Sequence, residues 1–523
     1  MRFIEKENKE GRFIRFRKDI VKRLLIVFLW ITISLGIYQC NIGLNKIQEE
    51  PKKEQQPHKQ EDTITVPIQQ KNPEELQKQP APLPLDETIR VLIMTEGFRE
   101  IYHTELTISC KEGFYIDRDG HISEYDPDFI YTINTKQLEN EEQIKIVGKN
   151  GGKLTIGNLN RNGESTYRGS FTCYHTPNGL VLVNELLVEE YLYGVVPSEM
   201  PSSYPTEALK AQAICARTYT YFHKQSYAYP QWQAHMDDST SFQVYMNSGE
   251  TPAACQAVDE TKNMILTYNN NLVESFYYST SSGNNGGAGV WKDIVTETDG
   301  YLIETGMKIY AENSTAGEAA YKAYIDNKNP EDIEYNESWY RWQYPKILNN
   351  GSAGVLLEKI YNLSLSQPQN IKIRSQYLSS DQLKNEGMIR DIRILNRRQS
   401  GLVTQIMIET EHFKISVNTQ YTIRQIFGSE GDIVVKNDGN SSIMGQILPS
   451  AYFYIEKIYD NNGGIGDTLS QIIIHGAGLG HGCGMSQNGA KCLANKGFTA
   501  AQVLAYYYNG EITDVSEMLV DGL

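Results

Sequence analysis

The chain has 523 residues, 40% of them hydrophobic, which is enough for one large domain or two to three smaller ones. Its formal net charge of −15 argues against nucleic acid as the main partner, because phosphate binding depends on clustered Lys and Arg. The first 23 residues run against that balance, with nine Lys/Arg and four Asp/Glu, a local +5 that leaves −20 for the remainder.

After this basic start, Leu24 to Asn45 contains no charged residue, and Leu24 to Ile31 is strongly apolar. A helix of that length spans about 33 Å, close to the hydrocarbon thickness of a bilayer. The expectation is a cytoplasmic segment at 1–23, a single transmembrane anchor at 24–45, and everything beyond it exported to the outer, cell-wall side of the cell membrane. A cleaved signal peptide is the competing reading. No small-x-small cleavage site follows, however, and Ile37-Tyr38-Gln39 before Cys40 is not a lipoprotein box. Residues 46–88 are rich in Gln, Glu, Lys and Pro and read as a disordered linker. The seven cysteines are scattered, form no CxxC pair, and read mostly as small buried apolar residues.

From Ile89 to about residue 180 the texture becomes β-rich, with runs such as Ile89 to Ile93 and Gln143 to Val147 separated by Gly- and Asn-containing turns. A long helix is predicted from Pro205 to about Lys224, with Ala208, Ala211, Cys215, Thr218 and Phe222 lining one face. Residues 301–440 mix helical patches with strands such as Leu402 to Ile408. Thr499-Ala500-Ala501-Gln502 then reads as a capping box that opens a helix ending before Gly510. The fold class is α+β, without internal repeats.

Two segments carry chemistry. In Val196-Pro197-Ser198-Glu199-Met200-Pro201, the second proline biases Met200 toward an extended conformation and Pro205 suits the first turn of the helix. Glu199 is thereby left little backbone freedom. The plainer alternative is a favourable charge near a helix N-terminus, worth roughly 0.3–1 kcal/mol. The second segment runs from His475 to Ala490 and alternates glycine with other residues, so its backbone can approach a ligand closely or simply turn. His481 and Cys483 raise a cysteine-peptidase reading, but neighbouring positions in one loop are poor evidence for it.

The string from Val183 to Pro201, continued by Glu207 to Ala213 and Ala216 to Tyr219, closely resembles the signature of the SpoIID/LytB family of sporulation and cell-wall proteins. Gly480 to Ala490, followed by Gly497-Phe498-Thr499 and Leu504 to Gly510, is similar to that family's C-terminal glycine-rich motif and closing helix. Ser275 to Gly283, Trp339 to Trp342 and Leu448-Pro449-Ser450 lie between them in the family's order. The resemblance covers roughly 89–515. It implies a SpoIID/LytB-like domain at 181–515 with a mixed insert at about 301–440, preceded by the β-rich region.

The resemblance implies that Glu199 is the catalytic acid/base of a lytic transglycosylase. It would protonate the leaving oxygen between N-acetylmuramic acid and N-acetylglucosamine, then take the proton of the sugar's own C6 hydroxyl as the 1,6-anhydro ring closes. Such a carboxyl needs a pKa raised from about 4.3 toward 6–7, and Tyr193, Val195, Val196 and Met200 are the expected apolar setting. Glu185, Glu189, Glu190 and Glu207 read as solvated or first-turn charges. His481, Ser486 and Gln487 offer donors and acceptors suited to sugar hydroxyls, and Tyr278 and Ser279 join them as substrate-binding positions. Tyr278 and Leu479 replace a histidine and a tryptophan common in the family. Some members bind zinc just before a Gln-Val-Tyr tripeptide. In the matching segment here only His235 is a plausible ligand, with Asp238, Ser241 and Phe242 in place of the others, so no metal and no other cofactor is expected. The implied partners are peptidoglycan glycan strands, a cell-wall amidase or other sporulation proteins, and the membrane through the N-terminal helix. Two rival roles remain in view: a non-catalytic amidase enhancer and a septal scaffold.

Overall fold

The computed structural model describes residues 88–136, 142–162, 165–292, 294–305, 315–460 and 468–520. The expected cytoplasmic segment, membrane anchor and linker, with Cys40, lie outside the described residues apart from Thr88. Among the described residues no helix is long and apolar enough to cross a membrane.

The β-rich region builds a seven-stranded sheet. Edge to edge it runs Met236–Asp237, Thr88–Ile93, Gly179–Leu187, Ser170–Thr176, Gln143–Gly148, Phe114–Arg118 and His121–Tyr125. Position in the sheet decides how each strand reads. Gln143–Gly148 alternates exposed and buried residues, so one face is wet. Gly179–Leu187 is buried on both faces: Leu180 and Leu182 enter the main core, Val181 and Val183 a second cluster with Trp232 and Tyr229. Asn184 is buried in this strand because its amide donates to the Arg168 and Ser170 carbonyls and its oxygen accepts the Tyr245 hydroxyl.

The strand passes directly into helix α1, Val188–Glu199, and Met200 then leaves it in extended conformation (φ −132°, ψ 131°), as a residue before proline should. Helix α2, Thr206–His223, starts one residue later than expected, with Pro205 at its N-cap. It also has no single buried face. Ala208, Leu209 and every residue from Ala211 to Tyr221 are buried, because α1, helix α3 (Pro252–Glu260), the strand Met264–Tyr268 and two later helices surround it. The alanines permit that close approach. Arg217, fully buried in α2, donates to both Glu189 carboxylate oxygens at 2.7 and 2.8 Å and to the Val258 and Met264 carbonyls. Glu189 lies in the first turn of α1, as one of the two sequence alternatives had it, and forms a part-buried bidentate pair with Arg217, while Glu185 pairs with Arg90.

The described residues between 301 and 440, expected as an insert, combine helices and strands. Helices α4 (Thr315–Asp326), α5 (Asn350–Ser366) and α6 (Gln420–Phe427) accompany a four-stranded sheet ordered Ile371–Arg374, Lys414–Asn418, Val403–Glu409, Asp391–Arg397. A five-stranded sheet, ordered Ser441–Ile443, Ile433–Lys436, Trp342–Ile347, Thr468–Gly476, Phe453–Asp460, joins the insert to the C-terminal motif. Helices α7 (Gln487–Asn495), α8 (Ala500–Tyr507) and α9 (Val515–Val520) close the chain, and Thr499 with Gln502 forms the expected capping box. The described cysteines are all free; Cys110, Cys173, Cys215 and Cys483 are buried.

Two buried carboxyls tie distant segments together. Asp238 accepts from Arg161 at 2.8 Å and from the Met94 amide at 2.9 Å, yet burial pushes it up to about 7. Glu334, just before the insert's first sheet strand, accepts the Ser281 amide at 2.8 Å and the Ser486 hydroxyl at 2.9 Å, and burial pushes it up to about 8.

Arg217→Ala is expected to cost about 3–5 kcal/mol of stability, read by urea denaturation, because it strands Glu189 and three helices lose their shared donor. Asp238 and Glu334 hold protons in the folded chain that the unfolded chain has released, so stability should fall as pH rises from about 4 to about 8. Melting temperatures of Glu334→Gln should fall less steeply over that range than those of the parent chain.

Candidate active site

Glu199 is the last residue of α1, so its carboxyl lies at the negative end of that helix. This reverses the plainer sequence alternative of a favourable charge at a helix N-terminus. Oε1 accepts the Val244 amide at 2.6 Å, and the Glu199 carbonyl accepts Gln487 Nε2 at 2.9 Å. Protein surrounds the side chain, yet part of its surface stays open to solvent. Burial pushes its pKa up to about 7, while the Val244 amide, Gln487 and Tyr277 each pull it back. The groups acting on it are neutral, so desolvation decides the direction.

Val195, Val196 and Met200 are buried around this turn as expected. Tyr193 is not part of it: its hydroxyl donates to Asp259 at 2.6 Å and its ring lies under Arg168. In place of Tyr193 stands Tyr277, whose hydroxyl donates to Gln243 Oε1 at 3.0 Å. Gln243 Nε2 in turn donates to Thr220 Oγ1 at 3.0 Å, and Thr220 to the Ala216 carbonyl on α2. The sequence reading missed Tyr277, Gln243 and the Val244 amide. A signal was present, since Tyr277 and Tyr278 are neighbours in a strand and must point to opposite faces.

Tyr278 takes the other face. It is buried and its ring packs against His481 at 5.5 Å. Tyr277–Tyr278 runs parallel to Met485–Ser486, which brings the glycine-rich motif beside the Tyr277 strand. Of the substrate-binding positions expected from sequence, Gln487 reaches Glu199 and is half-buried. Ser486 is fully buried; its hydroxyl caps α7 by accepting the Gly489 amide and donates to Glu334, so it supports the site from behind. The half-buried Ser279 uses its carbonyl to accept the Asn488 amide at 2.9 Å.

His481 has both nitrogens engaged. The Cys483 amide donates to Nδ1 at 3.1 Å, which leaves Nε2 to carry the proton and donate to the Tyr277 carbonyl at 2.9 Å. Burial, with Arg424 nearby, pushes its pKa down to about 3, so the ring is neutral and packs against Tyr278 and Trp291. Cys483 is wholly buried and its thiol is pushed up by burial, which removes the activation a cysteine peptidase needs. Gly482 and Gly484 both have positive φ, and a Cβ on Gly484 would sit 1.9 Å from the Phe276 carbonyl, so the motif's turn itself requires glycine.

In the segment where the resemblance raised the question of zinc, His235 Nδ1 accepts the Arg90 amide at 3.1 Å and Asp238 is paired with Arg161. Among the described residues no group of three or more His, Cys, Asp or Glu is placed to hold a metal ion.

Residues 176–268 match the family described as Stage II sporulation protein, SpoIID. That stretch contains α1, Glu199, α2 and the Val244 amide. An amidase enhancer of Bacillus subtilis is 29% identical over 322 residues, 61% of this chain and 39% of the relative. An uncharacterised protein of Brachyspira hyodysenteriae is 28% identical over 356 residues, 67% of this chain and 73% of the relative. Stage II sporulation protein D of Bacillus subtilis is 36% identical over 129 residues, 22% of this chain and 37% of the relative. The chain thus spans well under half the length of both named Bacillus relatives. The stretch that carries the Glu199 turn and the helix behind it is thus the part of this chain that matches the SpoIID family.

Proposed function

We propose that this chain is a lytic transglycosylase of peptidoglycan glycan strands, serving sporulation or cell-wall remodelling, and that Glu199 moves the proton. The observation that carries the reading is a carboxyl held by one backbone amide, faced by neutral groups, and raised by burial to about 7. Such a group is protonated often enough to act as an acid and is a strong enough base to take a proton back. It donates to the leaving oxygen between N-acetylmuramic acid and N-acetylglucosamine. As the C6 hydroxyl closes onto C1, Glu199 accepts the hydroxyl's proton and is ready for another turn. One carboxyl suffices because the nucleophile is the sugar's own hydroxyl; glycosidases that use water, or a covalent intermediate, need a second. Proton transfer contributes about 10²–10⁴-fold, and holding the C6 hydroxyl in line contributes most of the rest.

The placement proposed for this domain is outside the cell, tethered by the 24–45 segment. A second reading is favoured by the name of one relative: this chain, like the amidase enhancer it matches over 61% of its length, would stimulate a cell-wall amidase without cutting glycan.

Incubated with peptide-bearing and peptide-free glycan strands, the full-length chain should yield 1,6-anhydromuramic ends by mass spectrometry, and Glu199→Gln should lose them by about 10²–10⁴-fold. If no such ends form from either substrate while a cell-wall amidase is stimulated equally by both proteins, the enhancer reading replaces this one. The rate should fall above about pH 7, where Glu199 loses its proton. Because Tyr277 lowers the Glu199 pKa, Tyr277→Phe should move that descending limb to higher pH.

A further inference from the structure

Around the Glu199 site runs a connected series of aromatic rings that the proton-transfer chemistry does not use. Phe242 meets His223 at 5.4 Å between centroids, and His223 meets Tyr219 at 4.2 Å. Tyr219 meets Phe276 at 6.3 Å, Phe276 meets Trp291 at 5.5 Å, and Trp291 meets His481 at 5.1 Å. Both ends of the series are built on the site's own scaffold. Phe242 directly precedes Gln243-Val244, whose amide holds Glu199, and His481 is pinned to the carbonyl of Tyr277.

Most of these rings are buried or half-buried, but Trp291 is 45% exposed, and Ile294 and Val295 beside it are 79% and 45% exposed. Trp291 packs against two rings yet leaves nearly half of its surface to solvent, an apolar surface without a cover among the described residues. The described cations near it are paired: Lys292 with Asp299, and Arg398, which lies against Gly289, with Glu304. Among the described residues an anionic stem peptide or a phosphate finds no free cation there. A pyranose ring, which presents a flat face of C–H groups and carries no charge in its N-acetylated form, fits an open aromatic face of this kind.

We propose that Trp291, backed by Phe276 and His481, is a platform on which a neutral N-acetylhexosamine ring of the glycan strand stacks beside the Glu199 site. This rests on the reading of that site as one that handles glycan. It adds that the strand is gripped through its sugar faces, on a tryptophan backed by Phe276, the residue before Tyr277, and not through its peptides.

The test is calorimetric titration of the full-length chain, carrying Glu199→Gln so that nothing is cut, with a β-1,4-linked N-acetylglucosamine hexamer and separately with a free stem pentapeptide. The hexamer should bind and the pentapeptide should not. Trp291→Ala should weaken hexamer binding about tenfold, the upper range for one aromatic contact, and Trp291→Phe should recover most of it. Trp291→Leu keeps apolar bulk without a ring face and should behave like the alanine variant, which separates stacking from a folding defect. Equal hexamer affinity for Trp291→Leu and its parent, or no hexamer binding at all, overturns the proposal. If anhydromuramic ends never form yet hexamer binding still depends on the Trp291 ring, the platform stands and the transglycosylase reading falls. With Glu199 intact and strands being cut, Trp291→Leu should raise KM with kcat within about twofold, as expected for a contact made equally in ground and transition states.

Discussion

Helix α2 is covered on nearly every side, and a helix can be so only if its neighbours approach closely and its polar groups find partners inside. Alanines at 208, 211, 213 and 216 allow the approach. The one full charge in its buried length, Arg217, is tolerated because Glu189 on α1 and carbonyls at the end of α3 and the start of the next strand absorb its donors. Those contacts fix α1 against α2. Glu199 ends α1, Thr220 near the end of α2 receives the Gln243 amide, and α7, packed on α2, delivers Gln487. The site is thus assembled from helix ends and loops that share one buried helix as their reference.

Asp238, Glu334 and Glu199 are among the described carboxyls that desolvation raises, and their surroundings give these three different work. Asp238 meets a guanidinium and a backbone amide, and it holds the N-terminal sheet to the segment after Met236. Glu334 meets an amide and a hydroxyl and bridges the insert to the turn that starts α7. Glu199 meets one amide, no cation among the groups that shift it, and retains access to solvent. Of the three, only Glu199 combines a pKa near neutrality with a surface a substrate can reach. That combination, and not the raised pKa alone, is what singles it out.

The glycine-rich motif serves geometry first. Its left-handed glycines let Met485–Ser486 lie parallel to Tyr277–Tyr278 while Ser486 caps α7. His481, which a sequence reading places at a ligand, spends both nitrogens on the backbone that holds this pairing. The pinned ring packs against Trp291 with centroids 5.1 Å apart. The polar and aromatic contributions of one motif are therefore separated: hydrogen bonds set the backbone, and rings make the surface.

Much of this was legible in the sequence where local chemistry dominates. The extended Met200 before Pro201, the capping box at Thr499, the alternation in Gln143–Gly148 and the α+β character of the insert all follow from rules that act within a few residues. The family resemblance directed attention to Glu199 and the glycine motif before any contact was known. Other facts were decided only by tertiary structure. That α2 is buried all round, that Glu189 pairs with Arg217, that Tyr277 and not Tyr193 neighbours Glu199, and that the Ser486 hydroxyl is consumed by Glu334 each depend on partners 28 to 152 residues away. A periodic pattern records which side of an element is apolar. It carries no record of how many neighbours will cover that element, nor of which distant donor will reach a buried oxygen first.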